Sequence, residues 1–234
     1  MKKILFAVAL IAAFSSCRMR AQQPQGAFSA DARAEHIPNL GKQIAELKKY
    51  HDCACSCGCY AHDLDSQAEK AIAFLRSAAS RTTSEKLAIV LDIDETSLSN
   101  YQEIVAEGFV FNKQAFEAWM DSAQAPAIPG TLRLDQEAKR LGVAVFFVTA
   151  RSNSKRAVTE TNLRLQGFQW QELILPPESA LKTSSGEYKA SARAHIAAEG
   201  YKIILNVGDQ WSDLADAPEA EFSVKYPNPY YLIE

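Results

Sequence analysis

The chain has 234 residues, of which 47% are apolar and 23% are charged. This length and composition favour a folded domain with one good-sized core and argue against a disordered chain. The formal net charge is −3, and the sequence has no basic stripe and no aromatic-rich RNA-binding pattern. The composition therefore argues against a nucleic acid polymer as partner and leaves a small charged ligand open.

The amino terminus, MKKILFAVALIAAFSSC, has two lysines, an apolar run and then small residues. This pattern is typical of a secretory signal peptide over residues 1–16, and the run is too short to span a membrane. Cleavage before Cys17 would resemble lipoprotein processing and would give a periplasmic or outer-membrane-anchored lipoprotein of a bacterium. Simple cleavage near Ala21 is the alternative, and both predict an exported protein. Residues 17–38 are predicted to form a tether.

Two helical patterns follow the tether, near 40–50 and 63–80, and Asp63 suits the first turn of the second helix. We expect residues 39–85 to form an N-terminal helical cover.

From Leu87 onward, short apolar runs alternate with amphipathic segments. Strands are predicted at 87–92, 143–148, 172–175 and 202–207, with an apolar stretch near 222–226. Helices are predicted near 113–122, 130–141, 153–166 and 188–199. Continuous apolar strands separated by helices indicate an α/β fold, a three-layer Rossmann-like parallel sheet covered on both faces.

Polar residues directly follow three of the predicted strands, and ligands bind at the carboxyl ends of strands in such a sheet. These strand ends would bring together a set of five side chains: Asp92, Asp94, Thr149, Asp209 and Asp213. Four aspartates cannot share one crevice fully ionised without a cation or a shared proton. Hard carboxylate oxygens without a histidine point to Mg²⁺.

With a divalent metal offsetting the charge, an aspartate can act as a covalent nucleophile on phosphorus. A phosphoryl group in transit also needs hydrogen-bond donors on its oxygens, which the hydroxyl and main-chain N–H of Thr149 could supply. Lys189 opens a predicted helix, so its ammonium and the helix N-terminus could both face the phosphate. Lys182 is the competing lysine.

Taken in order, Asp92-x-Asp94-x-Thr96, Thr149, Lys189 and Gly208-Asp209-x-x-x-Asp213 resemble the four motifs of the haloacid dehalogenase (HAD) phosphatase superfamily. More narrowly, VLDIDETSLSN, VFFVTARS, GEYKASAR and LNVGDQWSDL look like its exported acid phosphatase branch, subfamily IIIB. That branch includes class C lipoprotein acid phosphatases of bacteria and plant vegetative storage proteins. The resemblance covers roughly residues 38–234 and implies a HAD core over 86–234, with a small cap insertion at about 99–129.

The resemblance implies that Asp92 attacks phosphorus and forms a phospho-aspartyl intermediate. Asp94 would protonate the leaving alcohol and then activate the water that hydrolyses the intermediate. Thr149 and Lys189 would hold the phosphoryl oxygens. A carboxylate at position 94 also argues against carbon–halogen chemistry, because the dehalogenases of the superfamily lack one there.

Magnesium would be bound by Asp92, by the backbone carbonyl of Asp94 and by Asp209. The supporting residues would be Asp213, which orients Lys189 or a metal-bound water, Thr96, which hydrogen-bonds the loop backbone, and Arg151. Ser152 or Asn153 is expected to cap the next helix.

Two features allow alternatives. The aromatic residues between the first two motifs could either form a pocket for a base or aryl group or belong to the core: Tyr101, Phe109, Phe111, Phe116 and Trp119. The cluster Cys53, Cys55, Cys57 and Cys59 departs from the family pattern, and either disulfides or a soft-metal thiolate site would account for it.

The resulting hypothesis is an exported, magnesium-dependent acid phosphatase that hydrolyses small phosphate monoesters, such as nucleoside monophosphates or aryl phosphates, with the acidic optimum that the family suggests. A phosphotransferase using the same intermediate is the alternative within enzymes. The alternative outside enzymes is a non-catalytic storage or binding lipoprotein, although the presence of Asp92 argues against it.

Overall fold

A computed structural model describes residues 37–54, 59–81, 84–177 and 184–233. Every element below belongs to one compact unit, residues 39–234. The predicted signal peptide, Cys17, nearly all of the tether, two of the clustered cysteines (Cys55 and Cys57) and Lys182 lie outside the described residues. Among the helices of the described part, none has the length and apolar character needed to cross a membrane.

The helices are α1 Leu40–Asp52, α2 Tyr60–Arg81, α3 Tyr101–Ala106, α4 Lys113–Ser122, α5 Pro129–Arg140, α6 Arg156–Leu165, α7 Ser185–Ala198 and α8 Trp211–Leu214. The strands are β1 Lys86–Leu91, β2 Ala144–Val148, β3 Glu172–Ile174, β4 Tyr201–Gly208 and β5 Phe222–Lys225, and a 3₁₀ turn covers Asn153–Lys155.

The five strands form one sheet in the order β3-β2-β1-β4-β5, and every neighbouring pair is parallel. The predicted α/β fold with a parallel sheet is confirmed. Strand β1 lies at the centre, between β2 and β4, so the loops that follow these three strands leave the sheet side by side.

The apolar side chains of β1 alternate between the two faces, as the period of two in a strand requires. Ile89 and Leu91 pack in the core cluster formed with α2 and α5, whereas Ala88 and Val90 pack with Ala192 of α7 on the other face. Both faces are therefore covered by helices, which explains why the strand is apolar at every position from Leu87 to Leu91.

Two short helices, α3 and α8, were not predicted, because four to six residues give too little periodicity to detect. Helix α7 also begins earlier than expected. Ser184 caps it, since its side chain accepts the N–H of Glu187 at 3.3 Å. Lys189 therefore lies one turn inside the helix, and the prediction that it opens the helix is wrong.

The segment between β1 and α5 carries α3 and α4, and its two ends are paired. Leu98 and Ala127 form an antiparallel bridge, and the N–H of Ser99 donates to the carbonyl of Pro126 at 2.9 Å. The segment from 99 to 126 thus leaves the core and returns to it at one point, beside the carboxyl end of β1.

Candidate active site

Asp92 follows the last residue of the central strand, and backbone hydrogen bonds fix its position. Its N–H donates to the carbonyl of Val207 at 3.0 Å, which extends the pairing of β1 with β4 by one residue. Its own carbonyl accepts the hydroxyl of Ser97 at 2.6 Å. The side chain is held at the edge of the sheet and is buried.

Lys189 reaches the same point from α7. Its ammonium donates to Asp92 Oδ1 at 2.6 Å and also to Asp213 Oδ1. All three side chains are buried. Burial alone would lower the pKa of Lys189, but the two carboxylates outweigh it and raise that pKa, so the lysine is charged.

One carboxylate oxygen from each of Asp92, Asp209 and Asp213 lies within 4.8 Å of the other two. Burial raises the pKa of Asp92 well above its ordinary value; Lys189 opposes this, and Asp213 and Asp209 add to it. The single positive charge of Lys189 does not neutralise the negative charge of three buried carboxylates. A donor set made only of carboxylate oxygens fits a hard divalent cation such as Mg²⁺.

Asp209 is oriented by donors from three parts of the chain. Thr96 donates its hydroxyl to Oδ1 at 3.1 Å, while Gln210 and Asn228 donate side-chain amides to Oδ2 at 2.6 and 2.7 Å. The expectation that Thr96 bonds the loop backbone is wrong. The sheet places Thr96 against Asp209, although 113 positions separate them in sequence.

Asp213 is packed directly against Gly208. A Cβ built at position 208 would lie 2.3 Å from both Cβ and Oδ2 of Asp213, closer than real atoms approach. Oδ2 of Asp213 also accepts the N–H of Gln210 at 2.8 Å, which leaves Oδ1 facing Lys189. The glycine of the fourth motif is therefore required by close packing.

Thr149 follows β2 and is fully buried. Its N–H donates to the carbonyl of Ile174 at 3.2 Å and continues the β2–β3 pairing, so the expectation that this N–H serves a phosphate is wrong. The hydroxyl accepts the N–H of Arg151 at 3.2 Å and keeps its own hydrogen to donate. Ser152 caps the 3₁₀ turn that follows, as one of the two predicted caps.

Asp94 pairs with Arg151 through a two-pronged contact. Nη2 of Arg151 donates to Oδ1 at 2.7 Å and Nε donates to Oδ2 at 3.0 Å. Burial acts to raise the pKa of Asp94, but the guanidinium and the amide of Asn100 outweigh it, and the net pKa is lowered. Nη1 of Arg151 bonds Thr159 of α6 at 3.3 Å, which anchors the arginine.

A cavity of about 760 Å³ opens beside Asp94 and Arg151. Helices α3 and α4, the loop after β2 and the C-terminal segment supply its walls. Its apolar and aromatic lining includes Ile104, Phe109, Phe116, Met120 and Tyr230. The aromatic residues expected at the insertion thus divide: Phe109, Phe111 and Phe116 line the cavity, while Trp119 packs partly against the core.

The model of the HAD superfamily, subfamily IIIB (acid phosphatase), matches residues 9–234 of this chain. This match covers the whole site and nearly the whole sequence. The chain belongs to HAD subfamily IIIB.

Individual relatives agree with this assignment. Acid phosphatase 1 of Solanum lycopersicum is 40% identical over 148 residues, covering 62% of this chain and 58% of the relative. Vegetative storage protein 1 of Arabidopsis thaliana is 33% identical over 150 residues, covering 62% and 54%. The matched segment thus spans less than two thirds of the length of these curated relatives.

A solved structure shares the fold. The class C acid phosphatase from Bacillus anthracis with tungstate bound has a TM-score of 0.67 and 20% identity, and the likeness covers 82% of this chain and 86% of that one.

Several residues that build this HAD site were given no role by the sequence analysis, although they lie in the quoted motifs. The clearest is Arg193 of α7, which is almost fully buried. Its guanidinium donates to the carbonyls of Asp213, Asp216 and Pro218 at 2.8, 2.8 and 3.0 Å, and it also bonds Ala215. It holds the loop that carries Asp213, and an arginine four positions after Lys189 was the only hint.

Glu95 is a second unpredicted member of the site. It is buried, its backbone has a φ of 54°, and burial together with the neighbouring Asp94 raises its pKa to about 8. Its carboxylate accepts the N–H of Asn100 at 2.6 Å and the hydroxyl of Tyr231 at 2.7 Å. This contact ties the C-terminal segment to the loop after β1.

Proposed function

We propose that this chain is a magnesium-dependent acid phosphatase that hydrolyses small phosphate monoesters through a phospho-aspartyl intermediate on Asp92. One observation carries the proposal. Four motifs that are far apart in sequence meet at the carboxyl edge of the sheet, where Lys189 bonds Asp92 at 2.6 Å and the oxygens of Asp92, Asp209 and Asp213 approach within 4.8 Å.

In the first step, a carboxylate oxygen of Asp92 attacks phosphorus while the bond between phosphorus and the ester oxygen breaks. Asp94 donates a proton to the departing oxygen, so the product leaves as a neutral alcohol. Lys189 and the hydroxyl of Thr149 donate hydrogen bonds to the phosphoryl oxygens.

In the second step, water attacks phosphorus and gives a proton to Asp94, and the bond between phosphorus and Asp92 breaks. Inorganic phosphate leaves, and Asp94 is again protonated and Asp92 ionised. Asp94 suits both steps because it lines the cavity from which an alcohol leaves and a water enters.

Magnesium would be held by Asp92, the backbone carbonyl of Asp94 and Asp209, and when bound it would neutralise charge on the phosphoryl oxygens. The donor types support this metal, since every side-chain ligand is a carboxylate. Asp213 acts in support by orienting Lys189, and Arg151 acts in support by holding Asp94.

The apolar cavity beside Asp94 supports substrates whose alcohol carries an aromatic ring, such as nucleoside monophosphates or aryl phosphates. Aromatic side chains can stack on such a ring, and Phe109, Phe116 and Tyr230 are available for this. Its volume of about 760 Å³ is within the range of small-molecule sites.

We also propose that the protein is exported, with Cys17 as a lipid anchor. Support comes from the sequence of residues 1–17, which has the charged, apolar and small-residue regions of a signal peptide.

The decisive assay measures phosphate release from para-nitrophenyl phosphate and from nucleoside monophosphates, with Mg²⁺ and with a chelator. We expect turnover at acidic pH that the chelator abolishes and that Asp92→Asn lowers by at least about a thousandfold. Melting temperatures of both proteins serve as the folding control. Metal-independent turnover, or an active Asp92→Asn variant, would contradict the mechanism.

Adding a primary alcohol to the same assay separates the alternatives. A hydrolase releases phosphate in the same amount as alcohol product, whereas a phosphotransferase passes the phosphoryl group to the added alcohol. A storage or binding protein would show neither reaction.

A further inference from the structure

Asn100 lies at the start of α3, at a position where its side chain could cap the helix, yet it makes no capping hydrogen bond. An asparagine cap typically stabilises a helix by about 1 kcal/mol relative to alanine. Here the side chain is turned inward and is buried at 1% exposure. Its amide is therefore committed to partners inside the site.

The amide nitrogen of Asn100 faces two carboxylates. Nδ2 donates to Asp94 Oδ1 at 2.8 Å and to Glu95 Oε2 at 3.0 Å. The backbone N–H of Asn100 donates to the other oxygen of Glu95 at 2.6 Å. Asn100 is therefore tied to the loop after β1 by both its backbone and its side chain. Its backbone N–H donates to Glu95, and its side-chain amide donates to Asp94 and Glu95.

The amide oxygen of Asn100 accepts Nε1–H of Trp119 at 2.9 Å. An indole N–H can only donate, and the Asp94 oxygen that faces Asn100 accepts a hydrogen bond both in the carboxylate and, as the carbonyl oxygen, in the protonated acid. These two partners fix the amide in one orientation, with its oxygen toward Trp119 and its NH₂ toward Asp94. Without the indole donor, the amide could turn and present its oxygen to a carboxylate, which would repel it.

Trp119 belongs to α4, and four residues of that helix line the cavity: Lys113, Phe116, Glu117 and Met120. The wall that would contact the leaving group is therefore joined by two hydrogen bonds, through Asn100, to the carboxylate that would protonate it. Arg151 donates to both oxygens of Asp94 and shares Oδ1 with Asn100, so the two contacts together define the direction of these oxygens.

We propose that Asn100 is a positioning residue that couples α4, through Trp119, to the orientation of Asp94 during proton donation to the leaving group. This inference rests on the proposed role of Asp94 as general acid. It predicts that Trp119, through its indole N–H, affects the chemistry of the leaving group.

The test compares two aromatic esters that differ in how much they need a proton. Benzyl phosphate releases an alkoxide and depends on the general acid, whereas para-nitrophenolate is a weak base and leaves without one. We compare kcat/KM, because it reports the steps up to formation of the intermediate. The benzyl-to-nitrophenyl ratio of kcat/KM then measures proton donation separately from folding and from phosphate binding.

The variants are Asn100→Leu, Trp119→Phe, Asp94→Asn as reference, and Trp170→Phe as a matched loss of an indole elsewhere. Trp170 packs on Phe147 at the other end of the sheet. General acids contribute about 10²–10⁴-fold, so we expect Asn100→Leu to lower the ratio about 30-fold and Trp119→Phe about fivefold, with Trp170→Phe unchanged. Trp119 is only partly buried, so its variant keeps the test open if Asn100→Leu does not fold.

Suppose that Asp94→Asn lowers the benzyl-to-nitrophenyl ratio. The coupling would then be overturned if Asn100→Leu and Trp119→Phe lost kcat/KM equally on both esters, or lost none. If Asp94→Asn left the ratio unchanged in an active phosphatase, Asp94 would not be the acid, and the coupling would fall with that role. Absence of metal-dependent turnover in the wild-type protein would instead reject the proposed function itself.

Discussion

The crevice at the carboxyl ends of β1, β2 and β4 has two sides. Each side holds a buried basic side chain against carboxylates, but in a different way. On the side proposed to bind phosphate, called the phosphate side below, Lys189 is shared between Asp92 and Asp213. On the side proposed to face the leaving group, called the leaving-group side below, Arg151 forms a two-pronged pair with Asp94 alone. An ammonium is a compact charge that can redirect its hydrogen bonds when a phosphate arrives, whereas a planar guanidinium fixes the orientation of its partner.

The pKa of the aspartate is also shifted in opposite directions on the two sides, although Asp92 and Asp94 are only two positions apart. Burial and neighbouring carboxylates raise the pKa of Asp92, while Arg151 brings that of Asp94 below its ordinary value. Environment, not residue type, therefore separates the two carboxylates, although the proposed first step needs the opposite order, with Asp92 ionised and Asp94 protonated.

The largest effect is expected on the phosphate side. Lys189→Met removes the charge between two buried carboxylates, so we expect kcat/KM for para-nitrophenyl phosphate to fall about a thousandfold. Removing one partner of a buried pair also costs about 3–5 kcal/mol of stability. Lys182→Met is the control and should change the rate less than about threefold. The opposite pattern in steady-state kinetics would assign the phosphate to Lys182.

Gly208→Ala tests the same side through packing. The new Cβ would meet Asp213 at 2.3 Å, so Asp213 must move and Lys189 loses a partner. We expect kcat/KM to fall about 10- to 100-fold, equally for benzyl and nitrophenyl esters, with about 1–3 kcal/mol lost from the unfolding free energy. Gly186→Ala is the matched control, because its Cβ would meet only ordinary contacts at 3.6 Å or more. A benzyl-selective loss would show that the two sides are not separate.

Arg151→Lys tests the leaving-group side while keeping the charge. Lysine cannot reproduce the two-pronged contact, so Asp94 loses its fixed orientation. We expect about a tenfold fall in kcat/KM for benzyl phosphate and a smaller fall for para-nitrophenyl phosphate. Equal falls on both esters would mean that Arg151 binds the phosphate and not the acid.

Asp135 of α5 provides a reference for burial without such a cation. Its side chain is 1% exposed and its Oδ2 accepts the N–H of Gln169 at 3.2 Å. Burial raises its pKa from 3.8 to about 6. The folded state thus holds this proton more tightly than the unfolded state, and stability is lost as the pH rises from about 4 to 6.

Asp135→Asn removes that ionisation and can still accept the Gln169 N–H. We expect the unfolding free energy to rise by about 1–2 kcal/mol at pH 7.5, with the gain vanishing near pH 4. Urea denaturation at the two pH values measures it. A gain that is independent of pH would show that the charge is not the cause.

Much of this site could be predicted from the sequence, because each motif directly follows an apolar strand. Parallel strands present their carboxyl ends at one edge, so Asp92, Asp94, Thr149, Asp209 and Asp213 had to meet once the strands were recognised. The residue types then pointed to a hard cation and a phosphoryl group.

Only the tertiary structure decided which atoms of those residues are free to act. The strand order puts β3 beside β2, which engages the N–H of Thr149 with Ile174, and it puts β4 beside β1, which brings Thr96 to Asp209. The contacts of Arg193 with the Asp213 loop and of Asn100 with Trp119 depend on side-chain direction across 19 to 25 positions. Apolar periodicity reports which face of an element is buried, and it carries no information about which buried polar groups will meet.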